Sequence, residues 1–162
     1  MTLTIVPATG QLLEQWRAVH NGVVRPVQLT AQEVVERAVR NHLTVAYVDG
    51  ILVGNATIRP PQDGGVTVIV RILSEHRHHG FGSEYLRAMV KQARTSQVER
   101  INTVVLSDNA EGLAFAIRHG FVETKHYELG GVAFVELTLR DATVPAPIDS
   151  RNLLDRQPGP FR

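Results

Sequence analysis

Residues 66–83 read Val66-Thr67-Val68-Ile69-Val70-Arg71-Ile72-Leu73-Ser74-Glu75-His76-Arg77-His78-His79-Gly80-Phe81-Gly82-Ser83. Val66 to Leu73 is a nearly continuous β-branched run, the pattern of a central strand covered on both faces. Ser74 to His79 lead into Gly80-Phe81-Gly82, and behind them Leu86, Met89, Val90 and Ala93 recur at helical spacing. A helix start has free backbone N–H groups and a partial positive charge, so it attracts phosphate. Glycines at 80 and 82 let the chain curl around an anion without Cβ clashes. One glycine pair is weak evidence by itself; strand before and helix after strengthen it.

Working outward, Leu3 to Pro7 reads as a short strand. Leu12, Leu13, Trp16 and Val19 then mark a helix ending near Asn21-Gly22, followed by an irregular stretch containing Pro26. Thr30-Ala31-Gln32-Glu33 is a capping box, opening a second helix whose apolar face is Val34, Val35, Ala38 and Val39. Leu43–Val48 and Ile51–Ile58 flank Asp49-Gly50, a pair suited to a tight hairpin turn. On the other side, Ile101 to Leu106 is a second buried strand. Asp108 or Asn109 can cap a helix running to Arg118, and Gly120 stands where a left-handed C-terminal cap is expected. Phe121–Leu129 and Val132–Leu139 pair around Gly130-Gly131. The order is strand, two helices, three strands, helix, strand, helix, two strands. From Ala142 on, Pro145, Pro147, Pro158 and Pro160 crowd a stretch with little periodicity. We therefore expect a single domain over 1–141 and a Pro-rich tail over 142–162, flexible or docking a partner.

Composition narrows the function classes. The 162 residues carry 17 Lys and Arg against 16 Asp and Glu, a net charge of +1, without the basic excess that nucleic-acid binding needs. The absence of cysteine excludes a disulfide scaffold, a thiolate metal site and a Cys nucleophile. No apolar run approaches the roughly 20 residues of a membrane span, and the start MTLTIVPATGQ lacks the regions of a signal peptide. A soluble, cytoplasmic protein is expected, with no nucleic-acid or membrane partner.

Among phosphate loops, a Walker sequence fails because Gly82-Ser83-Glu84 has no lysine. A dinucleotide fingerprint fails because Tyr85 stands where a third Gly or Ala belongs. The R-x-x-G-x-G loop that binds coenzyme A pyrophosphate matches from Arg77 to Gly82. Here the chain resembles the GNAT superfamily of acyl-CoA-dependent N-acetyltransferases. That family's next motif, N-x-x-A-x-x-x-Y-x-x-x-G-F, aligns with Asn109-Ala110-Glu111-Gly112-Leu113-Ala114-Phe115-Ala116-Ile117-Arg118-His119-Gly120-Phe121. The element order along residues 3–139 agrees as well.

The resemblance implies an α+β, three-layer fold. It has a mixed, mostly antiparallel sheet of about seven strands, about four flanking helices and two splayed central strands. It also implies acetyl-CoA as acyl donor substrate, with no metal. Pantetheine would pair with the backbone of Val70, Arg71 and Ile72. Pyrophosphate would sit on the amides of His78, His79, Gly80, Phe81, Gly82 and Ser83, beside Arg77, with Asn109 and Arg118 completing the site. A backbone N–H near Ile72 can stabilise the oxyanion formed when an amine attacks the thioester. The acceptor, a small-molecule, peptide or protein amine, would bind where the loop from His20 to Leu29 and the final hairpin close over the cleft. An open edge strand leads us to expect a homodimer.

Two departures stand out. The motif tyrosine that protonates the leaving thiolate in the family is Ala116 here, and neither splayed strand carries a carboxylate base. Three explanations stay open. Tyr127, His119, Glu123 or water supplies the protons; proximity suffices; or the domain is a non-catalytic acyl-CoA-binding module. The bland readings are equally concrete: His119 favours a helix C-terminus, Trp16 is core, and His76, His78 and His79 lack the carboxylates or cysteines of a metal site. Arg71, odd in a buried-looking strand, is either exposed at its end or points into the acceptor cleft.

Overall fold

The computed structural model describes residues 2–140; the tail expected over 142–162 lies outside them. The strands are β1 (Leu3–Pro7), β2 (His42–Val48), β3 (Ile51–Ile58), β4 (Gly65–Ile72), β5 (Arg100–Leu106), β6 (Phe121–Leu129) and β7 (Val132–Leu139). The helices are α1 (Leu12–Val23), α2 (Ala31–Arg40), α3 (Phe81–Ala93) and α4 (Ala110–Arg118). Both expected turn devices form. Asp49 and Gly50 take φ of 51° and 78° between β2 and β3. At α2, Thr30 Oγ1 accepts from the Glu33 N–H at 3.1 Å while Glu33 Oε1 accepts from the Thr30 N–H at 2.8 Å. Helix α1 runs slightly beyond the expected Asn21-Gly22, to Val23.

The seven strands form one sheet in the order β1-β2-β3-β4-β5-β7-β6, antiparallel everywhere except between β4 and β5. Alternation along β2 sends Leu43 and Val45 to one face and Ala46 and Val48 to the other. On the first face α1 and α2 cover a core built on Trp16, whose side chain is fully buried and donates from Nε1 to the Ala56 carbonyl at 3.1 Å. On the second, α3 and α4 cover the larger core of Val66, Val68, Tyr85, Leu86 and Leu137. Tyr85 ties α3 to β2 through a 2.6 Å hydrogen bond with Thr44. Among the described residues, no helix is long and apolar enough to cross a membrane.

The parallel pair decides where a site can form. β4 and β5 are in register only from Gly65 to Thr67 against Arg100 to Asn102. Beyond that they part. Between β3 and β4 the bonds Leu73 N–H to Val53 O and Arg59 N–H to Thr67 O bracket the ladder. Antiparallel bonding alternates by two residues, so Ile69 and Arg71 bond to β3 while the backbone groups of Val70 and Ile72 face the opening. Gly54 lies where the β2–β3 register slips, and a Cβ there would stand 2.3 Å from the Arg71 carbonyl oxygen. Only glycine lets β4 approach so closely.

Candidate active site

A cavity of about 600 Å³ runs through this opening and is lined from both faces of the sheet. On the α3 side its wall includes Val70, Ile72, the turn before α3 and the first residues of α4. Gly80 is in the left-handed conformation (φ 84°) immediately before α3, so the first-turn amides of that helix open toward the cavity. Gly82 is tight: a Cβ there would meet the Phe115 ring at 3.3 Å.

The loop side chains are largely engaged with the protein. Arg77 donates from Nε to the Ile72 carbonyl at 2.9 Å and from Nη1 to Glu111 at 3.1 Å. His78, with a left-handed φ of 67°, stands 3.1 Å from the other Glu111 oxygen. These contacts fasten the turn to the first turn of α4. His119 Nδ1 lies 2.9 Å from the Phe115 carbonyl, which only accepts, so Nδ1 carries the proton. Its Nε2 lies 2.8 Å from the Ser83 hydroxyl, which is thereby engaged within the protein. Ser83 is left with its backbone N–H for an anion, and His119 does satisfy a last-turn carbonyl of its helix. Asn109 caps α4, accepting from the Gly112 N–H at 2.9 Å. Arg118 lies over the Phe115 ring at 5.9 Å and lines the cavity. The side chains of His79 and Phe81 do not line it; Phe81 is buried in the α3-side core. His76, His78 and His79 do not form a metal-ligating cluster, and no group of three such side chains occurs among the described residues.

Arg71, expected beside Val70 and Ile72, faces the other way. Its backbone bonds to β3, and its side chain enters the cavity from the α1 side. There it meets His20 from α1, the first residue of the segment expected over the cleft, and two residues the sequence did not point to, Arg37 from α2 and Arg59 after β3. Arg71 Nη1 is buried without a hydrogen-bond partner. Burial first, then the charges of Arg37 and Arg59, pull the Arg71 guanidinium down to about 9. Burial, reinforced by the Arg71 charge, holds His20 down to about 4, so its ring is neutral at pH 7. The ring stacks on Trp16 at 5.4 Å, and its Nδ1 lies 3.2 Å from Asn21 Oδ1. Asn21 also closes the α1–α2 loop, accepting from the Leu29 N–H at 2.9 Å and donating to its carbonyl at 3.0 Å. That loop supplies Val24, Pro26 and Val27 to the cavity wall, and the final hairpin supplies Tyr127, Leu129 and Gly130. Tyr127 stacks on Phe134 at 5.5 Å, and partial burial raises its phenol above the ordinary value, so it keeps its proton.

A strand that parts from its neighbour to open a cavity, with a glycine turn and a helix start at its end, is the arrangement the family resemblance implied. The model of the acetyltransferase (GNAT) family matches residues 11–121. The chain belongs to the GNAT acetyltransferase family. A mycothiol acetyltransferase from Stackebrandtia nassauensis is 30% identical over 84 residues, which make up 52% of this chain and 28% of that protein. This GNAT chain thus matches less than a third of that relative's length. Among solved structures, Ard1 from Thermoplasma volcanium has a TM-score of 0.73 at 16% identity, covering 87% of this chain and 100% of its own. A GNAT family acetyltransferase from Elizabethkingia anophelis, solved with acetyl-CoA bound, has a TM-score of 0.66 at 12% identity, covering 85% of this chain and 97% of its own. At those identities the likeness establishes the GNAT fold: a seven-stranded mixed sheet with four helices.

Proposed function

We propose that this GNAT domain transfers an acetyl group from acetyl-CoA to a primary amine, with both bound at once. One observation carries the reading: the backbone N–H groups of Val70 and Ile72, unpaired by β3, line a gap that ends at the Gly80–Ser83 helix start. The residues present fit acetyl-CoA. The amides of Val70 and Ile72 hold pantetheine. The main chain from His78 through His79, Gly80, Phe81 and Gly82 to Ser83 holds the pyrophosphate, and the exposed Arg118 and the Asn109 side-chain amide lie within the same rim.

The amine nitrogen, deprotonated, attacks the thioester carbonyl carbon; a C–N bond forms and the C–S bond breaks. The Ile72 N–H, turned into the gap, stabilises the negative charge that develops on the carbonyl oxygen. The nitrogen's extra proton goes to solvent water. The departing sulfur takes a proton from the Tyr127 phenol, protonated at neutral pH, and the phenolate left behind recovers a proton from solvent water.

One observation favours a second reading, a non-catalytic acetyl-CoA-binding module. Ala116, only 3% exposed, fills the position of the family's proton-donating tyrosine. Thermal unfolding with and without acetyl-CoA, followed by CoA release from a panel of amines, decides between them. At about a hundred times its dissociation constant, acetyl-CoA should stabilise the fold by about 2.7 kcal/mol, an upward shift of a few degrees. A shift with turnover supports the transferase. A shift with no turnover of any amine supports the binding module, and no shift overturns both.

A further inference from the structure

On the basis of the transferase reading, we propose that the acceptor amine carries an oxyanion group, a carboxylate or phosphonate, bound by Arg71 together with Arg37 and Arg59. Arg71 sits mid-sheet on β4, where the alternation of the strand drives its guanidinium into the α1 side of the cavity. A guanidinium has five N–H donors in a planar fork and stays charged, and burying such a group without a counter-charge is among the costliest arrangements in a protein. Yet Arg71 Nη1 is buried without a partner, and none of Arg37, Arg59 and Arg71 makes an ion pair among the described residues.

The neighbouring groups do not compensate it. His20 is neutral and contributes no negative charge. Asn55, the residue directly across from Arg71 on β3, has a buried and unpartnered Oδ1, but an amide oxygen accepts a hydrogen bond without balancing a charge. Among the described residues Glu111 is the one carboxylate of the cavity wall, and it is committed to Arg77 and His78 on the opposite face. Glu33, one turn before Arg37, is held in the capping box by Thr30. Glu136, beside Tyr127 on β7, is outside the wall. Three guanidiniums from three separate elements thus face one space with no acid among the described residues to match them. A carboxylate or phosphonate accepts two parallel N–H bonds from such a fork and supplies the missing charge. An amine tethered to that oxyanion has its nitrogen held near the opening between β4 and β5.

The full-length chain is tested with the common L-α-amino acids, the same compounds as primary amides, and aminoalkylphosphonates. CoA release and calorimetric binding in the presence of CoA are both read. We expect at least one oxyanion-bearing amine to bind and react, with its amide weaker by about a hundredfold. Arg71→Met should erase that preference through KM, and Arg71→Lys should keep part of it. The thermal shift with acetyl-CoA should survive both changes. Phosphonates ahead of carboxylates, or the reverse, identifies which oxyanion the site takes. Amides used as well as acids, an Arg71→Met variant that keeps the preference, or no binding by any probe overturns the proposal. If acetyl-CoA gives no shift while an acid still binds through Arg71, the transferase reading alone fails. Should Arg71→Met not fold, Arg59→Met at the half-buried end of β3 reads the same preference.

Discussion

The two walls of the cavity are made of different material. Against α3 and α4, the wall is main chain: the amides of Val70 and Ile72, turned away from β3, then the amides that open α3. Of its charged side chains, Arg77 and Glu111 are spent on each other, and Arg118 lies at the exposed rim. Against α1 and α2, the wall is side chain: His20, Arg37, Arg59 and Arg71 reach in from four places, and among the described residues the three arginines have no ion-pair partner. A wall of main chain recognises a ligand common to many relatives, because amides are the same in every sequence. A wall of side chains can be rebuilt one residue at a time without disturbing the fold. The division suggests a constant donor on one side and a particular acceptor on the other.

Four changes break or sharpen that contrast. The largest effect belongs to Gly82→Trp, which fills the main-chain wall where even a Cβ touches Phe115. It should abolish turnover and the thermal shift with acetyl-CoA, while calorimetric binding of an acidic amine to the opposite wall persists. Loss of both together would show the walls to be one unit. Next is Tyr127→Phe, at the hairpin rim. If its phenol protonates the leaving sulfur, kcat falls by about a hundredfold with acetyl-CoA binding unchanged; an undiminished rate removes Tyr127 from the reaction.

Third is the pH dependence contributed by His20. Its folded pKa of about 4 lies below the ordinary 6.5 of the unfolded chain. The unfolded chain therefore takes up the proton first, so this stability is complete above pH 6.5 and is lost as pH falls toward 4. The loss reaches about 3 kcal/mol. Urea midpoints for the wild type and His20→Gln should diverge in that window; parallel curves would mean the ring is not held neutral. The smallest is Thr30→Ala, which removes the capping hydroxyl of α2 and should cost about 1 kcal/mol in chemical denaturation. Acid-over-amide preference should be unchanged, unless fraying of α2 also shifts Arg37.

Much of this was written along the chain. All eleven strands and helices occur in the order the periodicity implied, and the Thr30 and Asn109 caps form as their residue types require. The glycine turn was legible because a backbone that must curl at 80 and approach another element at 82 leaves only glycine at those positions. The side-chain wall was not. Arg37 and Arg59 look like any helical or loop arginine until the register of β2, β3 and β4 brings them over the same opening, and no local pattern encodes that register. Arg71 was conspicuous as a charge in an apolar strand, yet which face it takes follows from the bonded pairs between β3 and β4. The net charge of +1 was uninformative for the same reason: it averages a concentrated cluster over the whole surface.

The three residue pairs that join β4 to β5 have a consequence for motion. Ile69 and Arg71 have their amide hydrogens in the β3 ladder, while Val70 and Ile72, one position away on the same strand, have theirs turned into the opening. Amide exchange should therefore alternate along β4, slow at 69 and 71 and fast at 70 and 72. A ligand that bonds the two free amides should make the strand uniformly slow.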